Sequence, residues 1–346
     1  MMPDSGAEID LAAGGPVRHV PVLRDEVMNA LCVRESGLYL DATFGAGGYT
    51  QALLAKPGTR VLALDRDPAA VAAGAPLVRE AQGRLVLVKE RFGRLEEAAR
   101  ERALLGFDGV VFDLGVSSMQ IGDPARGFSF KADGPLDMRM EREGKTAAEI
   151  VNMAEEAVLA GIFFHYGEER AARRIARAIV QARAKAPITS TRSLAALVAR
   201  VAPGKPGEIH PATRVFQALR IAVNDELGEL VRALGASESI LREGGRLAAV
   251  SFHSLEDRII KRFFALRSGR GETASRRLPH EPPPPEPTFT VKGKQPVTPS
   301  RQEIAANPRA RSAKLRYGVR TKAPARGTDE RLMALARLPG IAKEAC

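Results

Sequence analysis

Two carboxylates and a glycine cluster in the first third of the chain have the types and spacing needed to hold a ligand. Asp41 ends a short apolar run, and a Gly-Ala-Gly-Gly cluster at 45–48 follows it. Glycines in such a turn permit positive φ and let a ligand approach the backbone, and the next helix offers free N–H groups to an anionic part of that ligand. Asp65 ends the following apolar run, where a carboxylate can accept hydrogen bonds from both hydroxyls of a ribose. The set therefore suits either NAD or S-adenosylmethionine.

The spacing of the glycines separates these two cofactors. They do not form the dinucleotide pattern G-x-G-x-x-G, whereas Asp41 and the cluster together give D-x-x-x-G-x-G-G. That pattern resembles the D-P-F-x-G-x-G element of amino-methyltransferases, so we favour a methyltransferase and keep an NAD-linked oxidoreductase as the alternative. Phe92 follows the third apolar run, where an apolar side chain packs against adenine. The same position also suits an ordinary core residue.

A third carboxylate opens the segment D-L-G-V-S-S-M-Q at 113–120, after the fourth apolar run. Amino-methyltransferases carry at this place a D/N-P-P-Y motif, absent here, whose oxygens accept N–H bonds from the target amine. An aromatic exocyclic amine is a poor nucleophile, so alignment and electrostatics supply most of the catalysis. Asp113 and Ser117 are therefore the candidate catalytic residues. The alternatives are that Asp113 binds the cofactor, or that both residues only cap the turn.

The cysteine content excludes other chemistry. Methylation at C5 of a pyrimidine requires a cysteine nucleophile, and neither Cys32 nor Cys346 is placed for that role. Two cysteines and five histidines build neither a disulfide framework nor a zinc site. We therefore expect no metal and a reducing, cytoplasmic environment.

Apolar runs alternate with helical patterns and predict an α/β fold with a class I Rossmann-like methyltransferase sheet. The strands are expected at 38–41, 60–65, 85–88, 109–114 and 246–252, with a last, antiparallel one at 313–319. Helical patterns dominate between the fourth and fifth strands, at 147–165, 168–185, 190–201 and, as one long helix, 211–234. More than a hundred residues between two strands of one sheet imply an inserted all-helical domain.

These elements predict a division of the chain into domains. The methyltransferase domain is discontinuous and the helical domain recognises the substrate. The expected boundaries are a disordered leader at 1–18, the methyltransferase domain at 19–120 and 211–320 with a flexible loop at about 268–295, the helical domain at 121–210, and a tail at 321–346.

A formal net charge of +11 over 346 residues predicts an anionic partner, with nucleic acid ahead of an acidic membrane surface. No apolar run approaches the roughly 18 residues that span a bilayer, so no membrane partner is expected. Two clusters of cations are candidate RNA contacts, and a solvated basic face is the alternative for each. The first is Arg170, Arg173, Arg174 and Arg177, at helical spacing; the second is Arg309, Arg311, Lys314 and Arg316.

His253 follows the fifth strand and therefore lies at the ligand edge of the sheet. A substrate contact and a structural role are both open for this residue. Ser254 with Asp257 resembles a capping box for the next helix.

Taken together, the motifs resemble the ribosomal RNA small subunit methyltransferase H family over roughly residues 19–320. The resembling stretches occur in order: H-V-P-V-L-R-D-E-V from His19, D-A-T-F-G-A-G-G-Y from Asp41, A-L-D-R-D-P from Ala63, D-L-G-V-S-S-M-Q from Asp113, R-G-F-S-F from Arg126, P-L-D-M-R-M from Pro135, Y-G-E-E-R from Tyr166, P-A-T-R-V-F-Q-A-L-R-I-A-V-N-D-E-L from Pro211, S-F-H-S-L-E-D-R from Ser251 and N-P-R-A-R-S-A-K-L-R from Asn307.

The resemblance implies S-adenosylmethionine-dependent N4-methylation of a cytidine in the decoding region of small-subunit (16S) ribosomal RNA. The implied partner is that RNA or the assembled small subunit, and a homodimer is compatible with it. Cofactor contacts carry over to Gly47, Gly48, Tyr49, Asp65, Phe92, Asp113 and Gln120. Tyr49 departs from the histidine common in the family, which limits its expected contact to the backbone. The alternative function is a basic RNA-binding ribosome-assembly factor that uses the cofactor structurally.

Overall fold

A seven-stranded sheet forms the centre of the protein. The computed structural model describes residues 21–204, 210–270 and 285–339. The expected leader at 1–18, Cys346 and parts of the expected loop and tail lie outside these described residues. The strands are β1 (Leu38–Asp41), β2 (Arg60–Asp65), β3 (Leu85–Lys89), β4 (Phe107–Asp113), β5 (Leu241–Ser251), β6 (Phe289–Thr290) and β7 (Lys314–Arg320).

The strand order is β3-β2-β1-β4-β5-β7-β6. Strands β1 to β5 are parallel to one another, whereas β7 is antiparallel to both β5 and β6. The direction of the order reverses between β1 and β4, and an open parallel sheet binds its ligands at such a switch point, beyond the carboxyl ends of the strands. The predicted class I Rossmann-like fold with an antiparallel last strand is confirmed.

Helices cover both faces of the sheet. The helices of the described chain are α1 (Arg24–Leu31), α2 (Gly48–Leu54), α3 (Pro68–Ala73), α4 (Ala75–Glu80), α5 (Leu95–Arg100), α6 (Ser118–Gly122), α7 (Ala147–Met153), α8 (Glu156–His165), α9 (Ala172–Arg183), α10 (Thr191–Val201), α11 (Ala212–Asn224), α12 (Glu226–Ile240), α13 (Ser254–Arg267), α14 (Arg301–Ala306) and α15 (Glu330–Ala336). Consecutive side chains of β1 point to opposite faces of the sheet. Leu40 packs with residues of α5, α12 and α13 on one face, and Tyr39 packs with residues of α1 and α2 on the other. Burial on both faces explains why the parallel strands read as continuous apolar runs. No described helix has the length and apolarity that crossing a bilayer requires.

The helices between β4 and β5 form a hydrophobic core of their own. Its buried members include Ile162, Phe163, Ile175 and Val198, from α8, α9 and α10. Val215, from α11, also belongs to this core, although the sequence assigned that helix to the sheet domain. The expected helix at 147–165 is interrupted between α7 and α8, where Ala154 and Glu155 are extended.

The prediction of one helix over 211–234 is wrong. The chain forms α11 and α12 instead, and Asp225 between them has the left-handed conformation with φ 47°. Aspartate tolerates this region better than most residues. The Asn224 side chain stabilises the break, because it accepts a hydrogen bond from Met140 N–H at 2.9 Å and donates one to the Met138 carbonyl at 2.8 Å.

The described ends of the expected loop at 268–295 and of the expected tail beyond 321 contain regular elements, the strand β6 and the helix α15. The helix α15 agrees with the short amphipathic segment that the sequence indicates at 331–338. Phe289 of β6 is fully buried and packs edge-to-face against Phe263 and Phe264 of α13. Leu332 and Met333 of α15 lie in the core beneath the sheet. Both segments are therefore parts of the folded unit.

Candidate active site

Three carboxyl groups gather at the carboxyl edge of the sheet. Asp41, Asp65 and Asp113 end the strands β1, β2 and β4, which are neighbours in the order β2-β1-β4. Burial raises the pKa of both Asp65 and Asp113, and the nearby charge of Asp41 adds to each shift. The parallel pairing thus brings together the three carboxylates that the sequence singled out.

The glycine turn is held by Asp65. Gly45, with φ 53°, donates its N–H to Asp65 Oδ2 at 2.8 Å, and Asp67 N–H donates to Asp65 Oδ1 at 2.8 Å. A Cβ on Gly48 would lie 2.9 Å from the Pro21 ring, and one on Gly47 would lie 2.9 Å from the Phe44 ring. Close packing, in addition to any approach of a ligand, therefore explains the glycines at 47 and 48.

Asp41 is fully buried and connects the turn to α2. Its Oδ2 accepts a hydrogen bond from Thr50 Oγ1 at 2.7 Å, and its Oδ1 accepts one from Thr43 N–H at 3.1 Å. Burial raises its pKa to about 6 despite these bonds. Burial likewise raises the pKa of Asp65 to about 6. Both groups are therefore largely ionised at neutral pH.

Asp113 differs from the other two carboxyls because part of it has no partner. Its backbone N–H donates to Thr43 Oγ1 at 2.6 Å, which joins the end of β4 to the glycine turn. Its Oδ1 atom is buried and has no hydrogen-bond partner among the described residues. Burial, together with the charges of Asp41 and Glu256, raises the pKa of Asp113 to about 8. A buried oxygen left unpaired in this way is a site where a ligand's N–H or O–H group can bind.

Ser117 and Gln120 form the capping box of α6. Ser117 Oγ accepts a hydrogen bond from Gln120 N–H at 3.2 Å, and Gln120 Oε1 accepts one from Ser117 N–H at 3.0 Å. The capping role that the sequence left open is therefore observed for Ser117. The N-cap of α6 is Ser117 and not Asp113.

The sequence did not reveal a buried hydrogen-bond hub beside the capping box of α6, which is formed by Asp67, Gln120 and Arg126. Asp67 Oδ2 accepts hydrogen bonds from Gln120 Nε2 at 2.9 Å and from Arg126 Nη1 at 2.7 Å. Arg126 Nη2 also donates to the carbonyls of Arg139 and Met140. The hub thereby ties the end of β2, helix α6 and the segment around 126–140 together. Both charged residues lie inside motifs quoted above, but nothing in their spacing indicates that they pair.

The two aromatic candidates lie in different surroundings. Phe92 is half-buried and packs edge-to-face against Phe112, with ring centroids 6.0 Å apart, at the end of the sheet that carries Asp65 and Asp113. Tyr49 is buried in the opposite core, and its hydroxyl donates to the Val22 carbonyl. Because the hydroxyl bonds to Val22, it is not available to a cofactor. This agrees with the expectation that Tyr49 contacts the cofactor through its backbone only.

The capping box expected at Ser254 and Asp257 lies one residue earlier. His253 is the N-cap of α13: its Nδ1 accepts a hydrogen bond from the Glu256 N–H, and Glu256 Oε2 accepts one from the His253 N–H. Asp257 instead accepts hydrogen bonds from Arg316 Nε at 2.7 Å and from Lys314 Nζ at 3.1 Å.

The first cation cluster lies on the surface as expected. Arg170, Arg173, Arg174 and Arg177 are all exposed, although Arg170 precedes α9. Arg177 Nε lies 3.7 Å from Glu156 Oε1, and both side chains are well exposed. The neighbouring Glu168 accepts hydrogen bonds from Ser254 and Arg258 of α13, which brings this cluster close to the carboxyl end of β5.

The second cation cluster is smaller than expected. Arg309 and Arg311 are exposed, and Arg309 Nη1 donates to Ser118 Oγ at 2.8 Å, next to the acceptor segment. Arg316 is 9% exposed and ion-paired with Asp257, so its assignment to an RNA surface is wrong. Lys314 shares that carboxylate but keeps 40% of its side chain exposed.

The charges around the glycine turn favour one cofactor class. Carboxylates near Gly45 repel a pyrophosphate and attract a cation, which fits the sulfonium of S-adenosylmethionine rather than NAD. The orphaned Asp113 oxygen adds an acceptor at the same edge. Fold and site together define a class I methyltransferase that uses S-adenosylmethionine. The chain belongs to the MraW methylase family, whose model matches residues 16–321.

Close relatives support this family over nearly the whole chain. Proteins named ribosomal RNA small subunit methyltransferase H from Methylocella silvestris and Beijerinckia indica are 66% and 65% identical to it. Each alignment covers 96% of this chain, and 96% and 94% of the respective relative. An rRNA methylase of known structure from Streptococcus thermophilus is 11% identical, with a TM-score of 0.39 over 86% of this chain and 95% of that one.

Proposed function

We propose that this protein transfers a methyl group from S-adenosylmethionine to N4 of a cytidine in the decoding region of small-subunit ribosomal RNA. The observation that carries the proposal is the buried Oδ1 of Asp113 at the switch point of the sheet, which no described residue pairs with. A cytosine N4 amine has two N–H groups and requires such an acceptor. The relatives named above act, by their names, on small-subunit ribosomal RNA.

The chemistry assigned to the chain is alignment and proton acceptance. S-adenosylmethionine, when bound, supplies an electrophilic methyl group. Asp113 Oδ1 accepts an N–H bond from the amine and thereby orients the nitrogen lone pair toward that methyl group. The amine must lose a proton once it is methylated, and a carboxylate with a pKa of about 8 is well matched to accept it near neutral pH. Ser117 contributes indirectly, because it fixes the start of α6.

For the cofactor we propose contacts on both sides of the glycine turn. Asp65 accepts the ribose hydroxyls with the lone pairs that Gly45 and Asp67 leave free. Phe92 provides an apolar wall for adenine. The other contacts come from Asp113, from Gln120 and from the backbone of Gly47, Gly48 and Tyr49.

Cofactor affinity is expected to fall in acid. The ribose hydroxyls bind the ionised form of Asp65, whose pKa is about 6. Above pH 6 that form dominates and affinity is constant. Below it, Kd rises roughly tenfold per pH unit, because binding must release a proton. Calorimetry from pH 5 to 8 measures this profile. The Asp65→Asn variant should bind about 10- to 150-fold more weakly at pH 7, with a flat profile. A parallel slope in wild type and variant would assign the dependence to another group.

We also propose that RNA lies across the edge of the sheet. Arg309 contacts α6, which follows β4, and Glu168 joins the first cation cluster to α13, which follows β5. Because β4 and β5 are adjacent, the exposed cations flank the carboxyl group of Asp113 on two sides. The helices α7–α11 would then act as the substrate-recognition unit.

Replacing Arg173 and Arg177 by glutamine should weaken RNA binding uniformly and leave cofactor binding intact. Each lost phosphate contact lowers the slope of log K against log salt by about 0.7–0.9. Filter binding from about 50 to 300 mM salt measures the slope. Arg60 and Arg100 are matched exposed controls, since Arg60 begins β2 at the opposite edge of the sheet. If the control variant changed the salt slope equally, the effect would come from the lower net charge of the protein and not from contacts at this cluster.

The decisive experiment is methyl transfer from labelled S-adenosylmethionine to small ribosomal subunits that lack the modification. Nucleoside mass spectrometry then identifies the product, and N4-methylcytidine at one position is the expected result. Tight cofactor binding without transfer to these subunits would favour an assembly factor that uses the cofactor structurally.

A further inference from the structure

One ring nitrogen of His253 makes no well-aligned hydrogen bond among the described residues, although the Glu256 carboxylate lies close to it. The histidine side chain is 9% exposed, and the Nε2 atom is buried without a hydrogen-bond partner among the described residues. Nε2 lies 3.1 Å from Glu256 Oε1, but the geometry between them is not that of a hydrogen bond. A buried polar atom without a partner calls for a specific explanation.

The cap of α13 selects the tautomer of this ring. His253 Nδ1 faces the Glu256 N–H at 3.4 Å and accepts from it. In the neutral ring the proton is therefore on Nε2, so this atom is a donor. Few caps use histidine, since serine, threonine, asparagine and aspartate are preferred. A histidine at this position caps the helix through Nδ1 and adds a donor at the other ring nitrogen, Nε2.

A metal ion does not explain the arrangement. His253, Glu256 and Glu226 offer ligand atoms within 4.8 Å of one another. However, both oxygens of Glu226 already accept hydrogen bonds from Arg220 at 2.8 Å. A histidine that binds a metal through Nε2 usually donates its other N–H to an acceptor, whereas His253 Nδ1 faces a donor.

His253 lies close to the segment that begins at Asp113, where the substrate amine is proposed to bind. It lies two residues beyond β5, whose Val250 pairs with Asp113 of β4. Phe252 lies beside the acceptor segment, since a Cβ on Gly115 would be 3.8 Å from its ring. The Glu256 charge also reaches the Asp113 carboxyl. The donor at 253 and the acceptor at 113 thus stand at the ends of two adjacent strands.

We propose that His253 Nε2–H donates a hydrogen bond to N3 of the target cytosine while Asp113 accepts one from its N4 amine. This inference rests on the proposed function. Cytosine presents an acceptor at N3 beside the donor at N4, and uracil presents a donor at N3. A histidine held as a donor therefore binds cytosine and repels uracil, which makes His253 a specificity-determining residue.

The test combines a protein variant with a change of one atom in the RNA. His253→Asn keeps a good helix cap but has no donor at the Nε2 position. His253→Gln carries an amide N–H near that position and is the control for the donor. Replacing the target nucleotide by 3-deazacytidine removes the N3 acceptor and keeps the amine. Single-turnover methyl transfer to reconstituted subunits is measured for all combinations, and thermal unfolding checks the fold of each variant.

Loss of one such bond in a pocket should lower kcat/KM by about 10- to 100-fold. His253→Asn should show this loss on cytidine RNA and no further loss on 3-deazacytidine RNA, and His253→Gln should recover part of the rate. An equal 3-deaza penalty in wild type and His253→Asn would overturn the inference. So would a His253→Asn variant with an unchanged rate on cytidine RNA. Failure of the unaltered protein to methylate cytidine RNA would instead overturn the proposed function, and this inference with it.

Discussion

Asp113→Asn should lower the rate of methyl transfer by about 10²–10⁴-fold, the usual contribution of a general base. Asparagine still offers one oxygen to the target amine, but it cannot take up the proton that the methylated amine must release. Single-turnover transfer to unmodified small subunits measures the loss. Cofactor affinity should change far less, because the reacting amine belongs to the RNA.

The pH profile separates this role from simple hydrogen bonding. The pKa of Asp113 is about 8, so its carboxylate form grows as pH rises toward that value. The rate of wild type should therefore increase about tenfold per pH unit below 8 and level off above it. The residual rate of Asp113→Asn should not follow this rise. Asp25→Asn is the matched control, since that side chain is 76% exposed on α1. Retention of more than about a tenth of the rate by Asp113→Asn would show that Asp113 only aligns the amine.

The carboxyl edge could be predicted from the sequence because each of its acids ends an apolar run. The carboxyl ends of parallel strands meet at one edge, so Asp41, Asp65 and Asp113 had to lie together once the runs were recognised as parallel strands. Their individual roles could not be predicted in the same way. Asp41 accepts hydrogen bonds with both carboxylate oxygens, whereas Asp113 has a buried oxygen that finds no partner in the part of the chain that the structure describes.

Ion pairs between distant elements account for most of what the sequence did not show. Asp67 and Arg126 are 59 residues apart in the chain, and so are Asp257 and Arg316. The local density of basic residues wrongly predicts an RNA surface at Arg316. The carboxylate that neutralises this guanidinium comes from α13, which is distant in the sequence, so the local pattern contains no information on it. The same density is a sound guide at Arg309 and Arg311, which are exposed.

Periodicity had a similar limit at Asp225. The apolar residues continue with helical spacing on both sides of it, so the pattern alone favours one helix. The break depends on Asn224, whose side chain bonds to the backbone at Met138 and Met140. A contact between residues more than eighty positions apart therefore decides the local conformation, and no window of neighbouring residues contains it.

Glu238→Gln should destabilise the protein by about 3–5 kcal/mol, because it removes the fully buried one of the two carboxylates that neutralise the Arg267 guanidinium. Glu238 and Arg267 are 0% and 2% exposed, and Arg267 Nε donates to Glu238 Oε1 at 2.8 Å. Glu238 Oε2 also accepts from Arg326 N–H, and Arg267 Nη1 donates to Asp329 just before α15. The pair thus fastens the C-terminal segment to the core. Urea denaturation followed by circular dichroism measures the free energy of unfolding.

Two variants show whether the buried charge is responsible. Glu96→Gln removes the partly buried partner of the exposed Arg100 on α5 and should lower the stability by no more than about 0.5 kcal/mol. Replacing Glu238 and Arg267 together by leucine and methionine removes both charges, and it should recover much of the loss because no ion is left buried alone. A loss below about 1 kcal/mol for Glu238→Gln would mean that Asp329 and the Gly327 carbonyl suffice to hold the guanidinium. In that event the attachment of α15 would depend on the burial of Leu332 and Met333 rather than on the ion pair.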